Sequence, residues 1–151
     1  PFSVDHGAWA KEGSQLSLMR CEPAFAYGGN YYSKDYKMTV PVTPVNGEYH
    51  LLQIRAQGAM RGYMAGFSEN GKIAVYKNDF AYKKLEESDF PWELGTTYNL
   101  TLEAVNNVIT LYVEDKKVLS MKDDSFTYGM YGCGSLGMGR TLFGDFDIVE
   151  I

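Results

Sequence analysis

Arginine, tyrosine, glutamine and lysine side chains recur along the stretch 47–78, and these residue types can bind a polar, ring-shaped molecule. The planar fork of an arginine donates parallel hydrogen bonds to neighbouring hydroxyls or to a carboxylate. A tyrosine ring can stack on the C–H face of a sugar while polar groups bind the hydroxyls at its rim. Gln53 and Arg55 share one phase of the run 48–57, opposite Ile54. We therefore predict a polar sheet face that binds a hydroxylated ligand.

Five aromatic residues are candidates for such stacking, namely Tyr63, Tyr76, Tyr82, Trp92 and Tyr131. Each has a second interpretation as a core or cross-strand residue, because aromatic side chains are common in strands. Arg55 also has a second interpretation, since it can form a surface ion pair with Glu48 or Glu69. The sequence leaves these alternatives open.

Paired carboxylates are the main catalytic pattern to consider, because a glycosidase needs two carboxyl groups that face each other across the scissile bond. Asp145 and Asp147 share one face of the run 145–150. We expect this run to present a solvated face of the last strand. The sequence therefore predicts no catalytic residue, and it favours a domain that is not an enzyme.

Metal ligands are sparse in the sequence. His6 and His50 are the only histidines, and neither has a second ligand at a suitable spacing. Asp123 and Asp124 lie in a predicted turn, where they could hold a structural Ca²⁺ ion together with backbone carbonyls. We predict no cofactor, with structural calcium as the one open alternative.

The two cysteines, Cys21 and Cys133, do not form a metal-binding pattern. They could pair, because a sandwich often brings early and late strands together. Two free, buried thiols are the alternative that we favour. The redox compartment stays open.

Apolar residues alternate with polar ones in nearly every ordered run, which is typical of strands. Three strands are predicted within the stretch 48–77, with a tight turn at Asn70-Gly71, and a further hairpin turn is predicted at Asn106-Asn107. Pro41 and Pro44 are expected to end a strand, and residues 83–87 are expected to form one helical turn. This pattern predicts an all-β, two-sheet antiparallel sandwich.

The bulk properties indicate one domain over residues 1–151, with 45% hydrophobic residues and a formal charge of −5. Basic residues are scattered, so nucleic acid and membrane surfaces are not expected as partners. The start at Pro1 is neither an initiator methionine nor a signal peptide, and we expect a piece of a longer chain. Localisation stays open between extracellular or periplasmic, if the domain binds glycans, and cytoplasmic.

A family pattern extends from about Trp9 to the end of the chain. It consists of an Arg-bearing strand followed by Tyr-x-x-Gly-Phe, Gly-x-Ile-x-Val-Tyr-Lys, Tyr-x-Leu-x-Leu-Glu, Asn-Asn-x-Ile-x-Leu-Tyr-Val and Asp-Ser-Phe-x-Tyr-Gly-x-Tyr-Gly, at residues 63–67, 71–77, 98–103, 106–113 and 124–132. This order resembles the concanavalin A-like lectin/glucanase and laminin G-like superfamily. Within it, the chain is similar to the bacterial 3-keto-disaccharide hydrolases and the fructan-binding modules. It also looks like a module at the end of some bacterial ADP-ribosylglycohydrolase-type chains.

The resemblance implies a jelly roll with a concave face, in which Arg55, Tyr63 and Lys77 match ligand-binding positions. The turn at 113–117 departs from the family pattern, because it lacks the usual glycine. With Gln53 and Tyr131, these residues form our predicted ligand site.

Three functions are consistent with this resemblance. We favour a non-catalytic carbohydrate-binding module appended to a hydrolase, with a carbohydrate and the catalytic domain of the parent chain as its partners. The alternatives are a structural sandwich that packs on a catalytic domain, and a glycoside-processing hydrolase of the 3-keto-disaccharide type.

Overall fold

The computed structural model describes the backbone of residues 3–4, 8–12, 15–20, 24–58 and 60–151, and side chains from residue 28 onward except at residue 59. Cys21 therefore lies outside the described residues. The first strands are Ser3–Val4 (β1), Ala8–Glu12 (β2), Gln15–Arg20 (β3), Ala24–Gly28 (β4) and Tyr36–Gly47 (β5). The middle strands are His50–Ala56 (β6), Arg61–Ser68 (β7), Lys72–Asp79 (β8), Tyr82–Asp89 (β9) and Tyr98–Val105 (β10). The last strands are Val108–Val113 (β11), Lys116–Lys122 (β12), Met130–Ser135 (β13), Gly139–Phe143 (β14) and Asp147–Glu150 (β15).

The strands form two antiparallel sheets. The first sheet has the order β1-β4-β13-β6-β7-β8-β9, and the second has the order β12-β11-β10-β5-β14-β3-β2, with β15 also pairing with β5. None of the described residues is helical, so no helix among them could cross a membrane. The predicted all-β, two-sheet sandwich is confirmed.

The main core lies between the sheets. The first sheet contributes alternate residues of β6, β7 and β8, and the second contributes alternate residues of β5, β10 and β11, including Ile54, Phe67, Val75, Met38, Leu102 and Leu111. A smaller apolar cluster of Leu51, Met64, Ala74 and Tyr76 covers the outer face of the first sheet. Because the main core covers one face of the first sheet and the smaller cluster covers the other, nearly every residue of β6 and β7 is buried.

The prediction that Pro41 and Pro44 end a strand is wrong, because β5 continues through both of them. On one edge of β5, residues 36–42 pair with β10, and on the other edge residues 36–39 pair with β15 and residues 42–47 pair with β14. The carbonyls of the two prolines still accept hydrogen bonds, from the backbone N–H groups of Gly144 and Gly95 at 2.7 Å each. Pro41 lies between the segments paired with β15 and β14, and Pro44 lies beyond the segment paired with β10. Each proline is thus beside a gap in one ladder, where a strand tolerates the missing N–H.

The predicted helical turn at 83–87 is also wrong, because these residues lie within strand β9. β9 forms the edge of the first sheet, and its lysine and glutamate side chains are exposed. Pairing with β8 satisfies the backbone of this segment and overrides its local helical preference. Charged side chains on an edge strand also discourage pairing with other molecules.

Candidate functional site

One end of the sandwich gathers several loops and turns, namely residues 29–35, 57–58, 60, 79–81, 106–107 and 123–129. Three antiparallel pairs, β4 with β13, β6 with β7 and β8 with β9, each place the end of the first strand beside the start of the second. We call this region the loop end. It contains most of the exposed aromatic side chains described below.

Arg55 lies at the centre of the loop end and is 1% exposed. Its backbone has a φ of 51°, in the left-handed region, and the pairing of β6 with β13 shifts register beside it. The expectation that Arg55 shares a face with Gln53 is therefore wrong. A left-handed residue breaks the two-residue alternation, and the Arg55 side chain enters the space between the sheets.

The Arg55 guanidinium donates hydrogen bonds to acceptors from three loops. Its Nε donates to the Lys34 carbonyl oxygen at 2.9 Å. Its Nη1 donates to the carbonyl oxygens of Asn106 at 2.6 Å and Phe126 at 3.2 Å, and its Nη2 donates to Asp35 Oδ1 at 3.0 Å. Arg55 thus clamps the loops together with its own donors.

Burial lowers the pKa of the Arg55 guanidinium, and the neighbouring Asp35 carboxylate opposes this effect. The same Asp35 oxygen accepts a hydrogen bond from the backbone N–H of Asn106 at 2.9 Å. The Tyr36 hydroxyl accepts from the Arg55 backbone N–H and donates to the Gly129 carbonyl, each at 2.9 Å. Burial raises the pKa of the Tyr36 hydroxyl, which stays neutral in this network.

Tyr63 and Lys77 meet the segment 123–126 beside the Arg55 clamp. The Tyr63 hydroxyl donates to Asp123 Oδ1 at 2.5 Å and accepts from the Phe126 backbone N–H at 3.1 Å. The Lys77 ammonium donates to Ser125 Oγ at 2.8 Å and lies 3.4 Å from Asp123 Oδ2. The two residues are also directly paired between β7 and β8.

The pKa of the Asp123 carboxyl group is lowered in this arrangement. Burial alone would raise its pKa, but hydrogen bonds from Tyr63 and Ser125 and the nearby Lys77 ammonium outweigh burial and lower it. Burial and the Asp123 carboxylate both raise the pKa of the Tyr63 hydroxyl. The neutral Tyr63 hydroxyl and the Lys77 ammonium therefore hold the segment that leads into β13, in part through its Asp123 carboxylate.

Tyr131 supports a neighbouring loop. Its half-buried ring lies 5.9 Å from the Phe146 ring, centroid to centroid. Gly29 has a φ of 88°, and a Cβ at this position would lie 2.4 Å from the Tyr131 ring. Only glycine allows the loop 29–35 to lie this close to Tyr131.

Gln53 lies on the opposite face of the first sheet, because it pairs with Met64 and Gly132 while Ile54 enters the main core. It is fully buried, and neither atom of its amide has a hydrogen-bond partner among the described residues. The five predicted site residues are therefore divided. Arg55, Tyr63 and Lys77 converge on the segment 123–126, Tyr131 lies beside the loop 29–35, and Gln53 is separate.

Three tyrosine rings lie together at the surface of the loop end. The Tyr31 ring contacts the rings of Tyr32 and Tyr128 edge-on at centroid distances of 5.2 and 5.6 Å, and Tyr32 stacks on Tyr128 at 6.2 Å. Tyr32 is 75% exposed and Tyr31 is 37% exposed. We call these residues the tyrosine cluster. Large aromatic rings at a surface are typical of a binding site.

Two clefts, one with a mainly polar and one with a mainly apolar lining, flank the segment Lys34–Asp35 next to the cluster. One has a volume of about 390 Å³ and is lined by Asn30, Tyr32, Ser33, Lys34, Asp35, Glu150 and Ile151. The other has a volume of about 310 Å³ and is lined by Lys34, Asp35, Arg55, Asn106, Asn107 and Thr127. In the first cleft, Ser33 Oγ donates to Glu150 Oε1 at 2.6 Å. Exposed rings and hydrogen-bonding groups are thus adjacent.

The sequence analysis missed the tyrosine cluster as a site. Its signals were the consecutive tyrosines in the loop after β4 and the tyrosine that precedes β13. The cluster depends on the pairing of β4 with β13, which are about a hundred residues apart in the chain. No local pattern predicts that pairing.

Among the described residues, no group of three or more His, Cys, Asp or Glu side chains could hold a metal ion. Asp145 and Asp147 are exposed, as expected for a solvated face. Cys133 is a free, buried thiol whose pKa is raised by burial.

Comparison with models of protein families found no match, and comparison with curated proteins found none. The carbohydrate binding module CBM66 from Bacillus subtilis has a similar structure, with a TM-score of 0.90, 20% sequence identity and coverage of 99% of this chain and 95% of that chain. The VIP36 exoplasmic/lumenal domain in its Ca²⁺/Man-bound form has a TM-score of 0.73 at 13% identity, covering 99% and 83%. A sialidase has a TM-score of 0.67 at 11% identity, covering 95% of this chain and 16% of that chain.

These similarities show the fold. The chain has the two-sheet antiparallel jelly-roll fold that these structures share. At such low identities, the function must be argued from the residues of this chain.

Proposed function

We propose that this domain binds a carbohydrate, without turning it over, at the tyrosine cluster and its adjoining clefts. The observation that carries the proposal is the contact among three tyrosine rings, two of them exposed, beside a cleft lined by Asn30, Ser33 and Glu150. Sugars present an apolar face and a polar rim, and this surface offers a complement to both. The structural similarity to a carbohydrate binding module and to a mannose-bound lectin domain supports the proposal.

Four of the five predicted site residues have supporting parts in this proposal. Arg55, Tyr63 and Lys77 hold the segment 123–129, which carries Tyr128. Tyr131 supports the loop that carries Tyr31 and Tyr32. They act as positioning residues, because their own polar groups already contact protein atoms. The fifth residue, Gln53, is buried on the other face of the sheet and has no part in this surface, so its role as a ligand contact stays a prediction.

Calcium is not part of the proposed site. The Asp123 carboxylate already accepts hydrogen bonds from Tyr63 and Ser125 and faces the Lys77 ammonium. A cation at this position would be repelled by the ammonium and would have to displace these donors. We expect binding to continue after removal of calcium with a chelator.

We also propose that the domain serves a hydrolase in the same polypeptide. Its similarity to 16% of a sialidase chain supports the idea that such a sandwich can be one part of a larger hydrolase. A binding surface of this kind would keep the parent enzyme near its glycan.

The test is to screen the isolated domain against a glycan array, with and without a chelator, and to analyse the bound sugars for cleavage products. We expect binding in both conditions and intact sugars. Cleavage would contradict the non-catalytic proposal and make Asp145 and Asp147 the first carboxylates to replace. If no glycan binds, the carbohydrate proposal is wrong, and a structural sandwich that packs on a catalytic domain becomes the better hypothesis.

A further inference from the structure

A second exposed apolar patch lies at the loop end, on the turns that join β6 to β7 and β8 to β9. Its members are Phe80, which is 69% exposed, and Met60 and Tyr82, which are each 40% exposed. The Phe80 backbone N–H donates to the Met60 carbonyl oxygen at 2.8 Å, so the two turns are tied together. The patch is thus a defined surface of two joined turns.

Phe80 combines two unfavourable features. Its φ is 63°, in the left-handed region, where a bulky side chain is rarely found and glycine or asparagine is preferred. Its large ring is also mostly in contact with water. An asparagine would relieve both features, which indicates that the ring has a role outside the fold itself.

The order of strands aligns this patch with the tyrosine cluster. In the first sheet, neighbouring strands follow the order β4, β13, β6, β7, β8 and β9. Tyr31 and Tyr32 follow β4, Tyr128 precedes β13, and Phe80 and Tyr82 lie between β8 and β9 or at the start of β9. Between them, Gln57 at the end of β6 donates from its Nε2 to the Tyr128 carbonyl oxygen at 3.1 Å.

The tyrosine cluster and the Phe80 patch are therefore separated by several strands of the first sheet. From β13 to β8 there are three strand spacings, which amount to about 14 Å. One sugar ring cannot span that distance, whereas a chain of a few linked rings can. Gln57 lies between the two groups and offers a polar contact, and Met60 of the patch offers an apolar contact along this line.

We infer that the ligand is an extended glycan chain that runs along the loop end from the tyrosine cluster to Phe80, which forms a distal contact. This inference rests on the proposed function and specifies its ligand class. Phe80 supplies a ring for stacking, held in place by its backbone hydrogen bond to Met60. The ion pair between Arg61 Nε and Asp79 Oδ1, at 3.4 Å, flanks the same turn.

The test measures affinity by calorimetry for two chain-length series, fructose to fructopentaose and mannose to mannopentaose. We expect affinity to rise with length in the series that binds. Phe80→Asn should weaken the pentasaccharide about tenfold and leave the mono- and disaccharide unchanged. Phe80→Trp should keep the length dependence. Leu94→Asn, at an exposed leucine in the loop between β9 and β10, is the control and should have no effect.

The melting temperature of Phe80→Asn should be unchanged or higher, since asparagine tolerates the left-handed backbone. A large drop in melting temperature would overturn the argument from strain. Equal affinity for short and long chains, or a pentasaccharide that Phe80→Asn binds as well as wild type, would overturn the extended-chain inference. The latter result would fit a docking surface for another domain. Binding of short sugars in either case would leave the proposed function intact. The proposed function fails only if no sugar binds.

Discussion

Arg55 is the residue that unites the loop end. A buried charge costs several kcal/mol unless it is paired and its donors are satisfied. Here the acceptors are Asp35 and the carbonyl oxygens of Lys34, Asn106 and Phe126. Because they come from three different loops, the contacts that satisfy the charge also fix the loops relative to one another.

We predict that Arg55→Lys lowers the free energy of unfolding by about 2–3 kcal/mol, because an ammonium cannot reach all four acceptors of the guanidinium. Urea denaturation measures this loss, and amide hydrogen exchange should become faster in residues 29–35 and 123–129. The matched control is Arg61→Lys, at a half-exposed ion pair, which should change stability by less than about 0.5 kcal/mol. A stable Arg55→Lys variant with unchanged exchange would contradict the clamp.

Gln53 provides a second prediction. Its buried amide has no hydrogen-bond partner among the described residues. A buried polar group without a partner costs about 1–3 kcal/mol. Gln53→Met, which keeps a similar volume, should therefore raise the free energy of unfolding by about 1 kcal/mol or more. Loss of stability in thermal denaturation would show that the amide is satisfied in solution.

The sequence identified Arg55 and Gln53 as residues of interest, but it did not predict on which face of the sheet each side chain lies. Strict alternation placed Arg55 and Gln53 on one face, and it failed because Arg55 adopts a left-handed backbone at a register shift. Nothing local in the sequence marks that conformation. Tyr63 and Lys77 do lie together, as their predicted strands required, but they contact the segment 123–126.

Turns are the elements that the sequence predicted best. Asn70 and Gly71 have φ angles of 62° and 67°, as expected for an Asn-Gly hairpin. Glu114 and Asp115 adopt similar angles, 50° and 65°, although the turn lacks the glycine of the family pattern. The β11–β12 hairpin therefore forms at a cost in backbone strain.

We predict that Asp115→Gly relieves this strain and raises the free energy of unfolding by about 0.5 kcal/mol. Glu114 should be kept, because its carboxylate accepts a hydrogen bond from the Asn99 backbone N–H at 2.7 Å. Lys116→Gly, in the adjoining strand β12, is the control and should lower stability by about 0.5–1 kcal/mol. The outcome against the argument is an Asp115→Gly variant that is less stable than wild type in urea.

Strand β9 and the long strand β5 were not predictable in the same way. The charged segment 83–87 has a local preference for helix, and only its pairing with β8 makes it a strand. The two prolines of β5 are tolerated because each lies beside a gap in the pairing along one edge of the strand. Both outcomes depend on neighbours that are distant in sequence.

At the scale of the whole molecule, His50 links the two sheets. Its Nε2–H donates to the Gly47 carbonyl oxygen at 2.9 Å, and its Nδ1 lies 2.6 Å from Thr141 Oγ1 on β14. Burial lowers the pKa of His50 to about 4, although the bond to Gly47 opposes this. The folded protein therefore holds a neutral imidazole.

This lowered pKa predicts acid sensitivity. Between the unfolded pKa of 6.5 and the folded pKa of about 4, the unfolded chain binds more protons. The contribution of His50 to the free energy of unfolding is therefore fully present above about pH 6.5. It is lost as the pH drops, by on the order of 2 kcal/mol at about pH 4.5. Urea denaturation across this range should show the loss in wild type and a flatter profile in His50→Gln. Equal slopes in both proteins would exclude His50 as the cause.

The central claim is that the tyrosine cluster is where a carbohydrate binds. Tyr32→Ala tests it most directly, because this ring is 75% exposed and its loss should not affect folding. With a glycan that the array identifies, calorimetry should show affinity reduced about tenfold or more at an unchanged melting temperature. Tyr112→Ala, on strand β11 of the second sheet, should bind like wild type. Full affinity in Tyr32→Ala, or an equal loss in Tyr112→Ala, would contradict the claim.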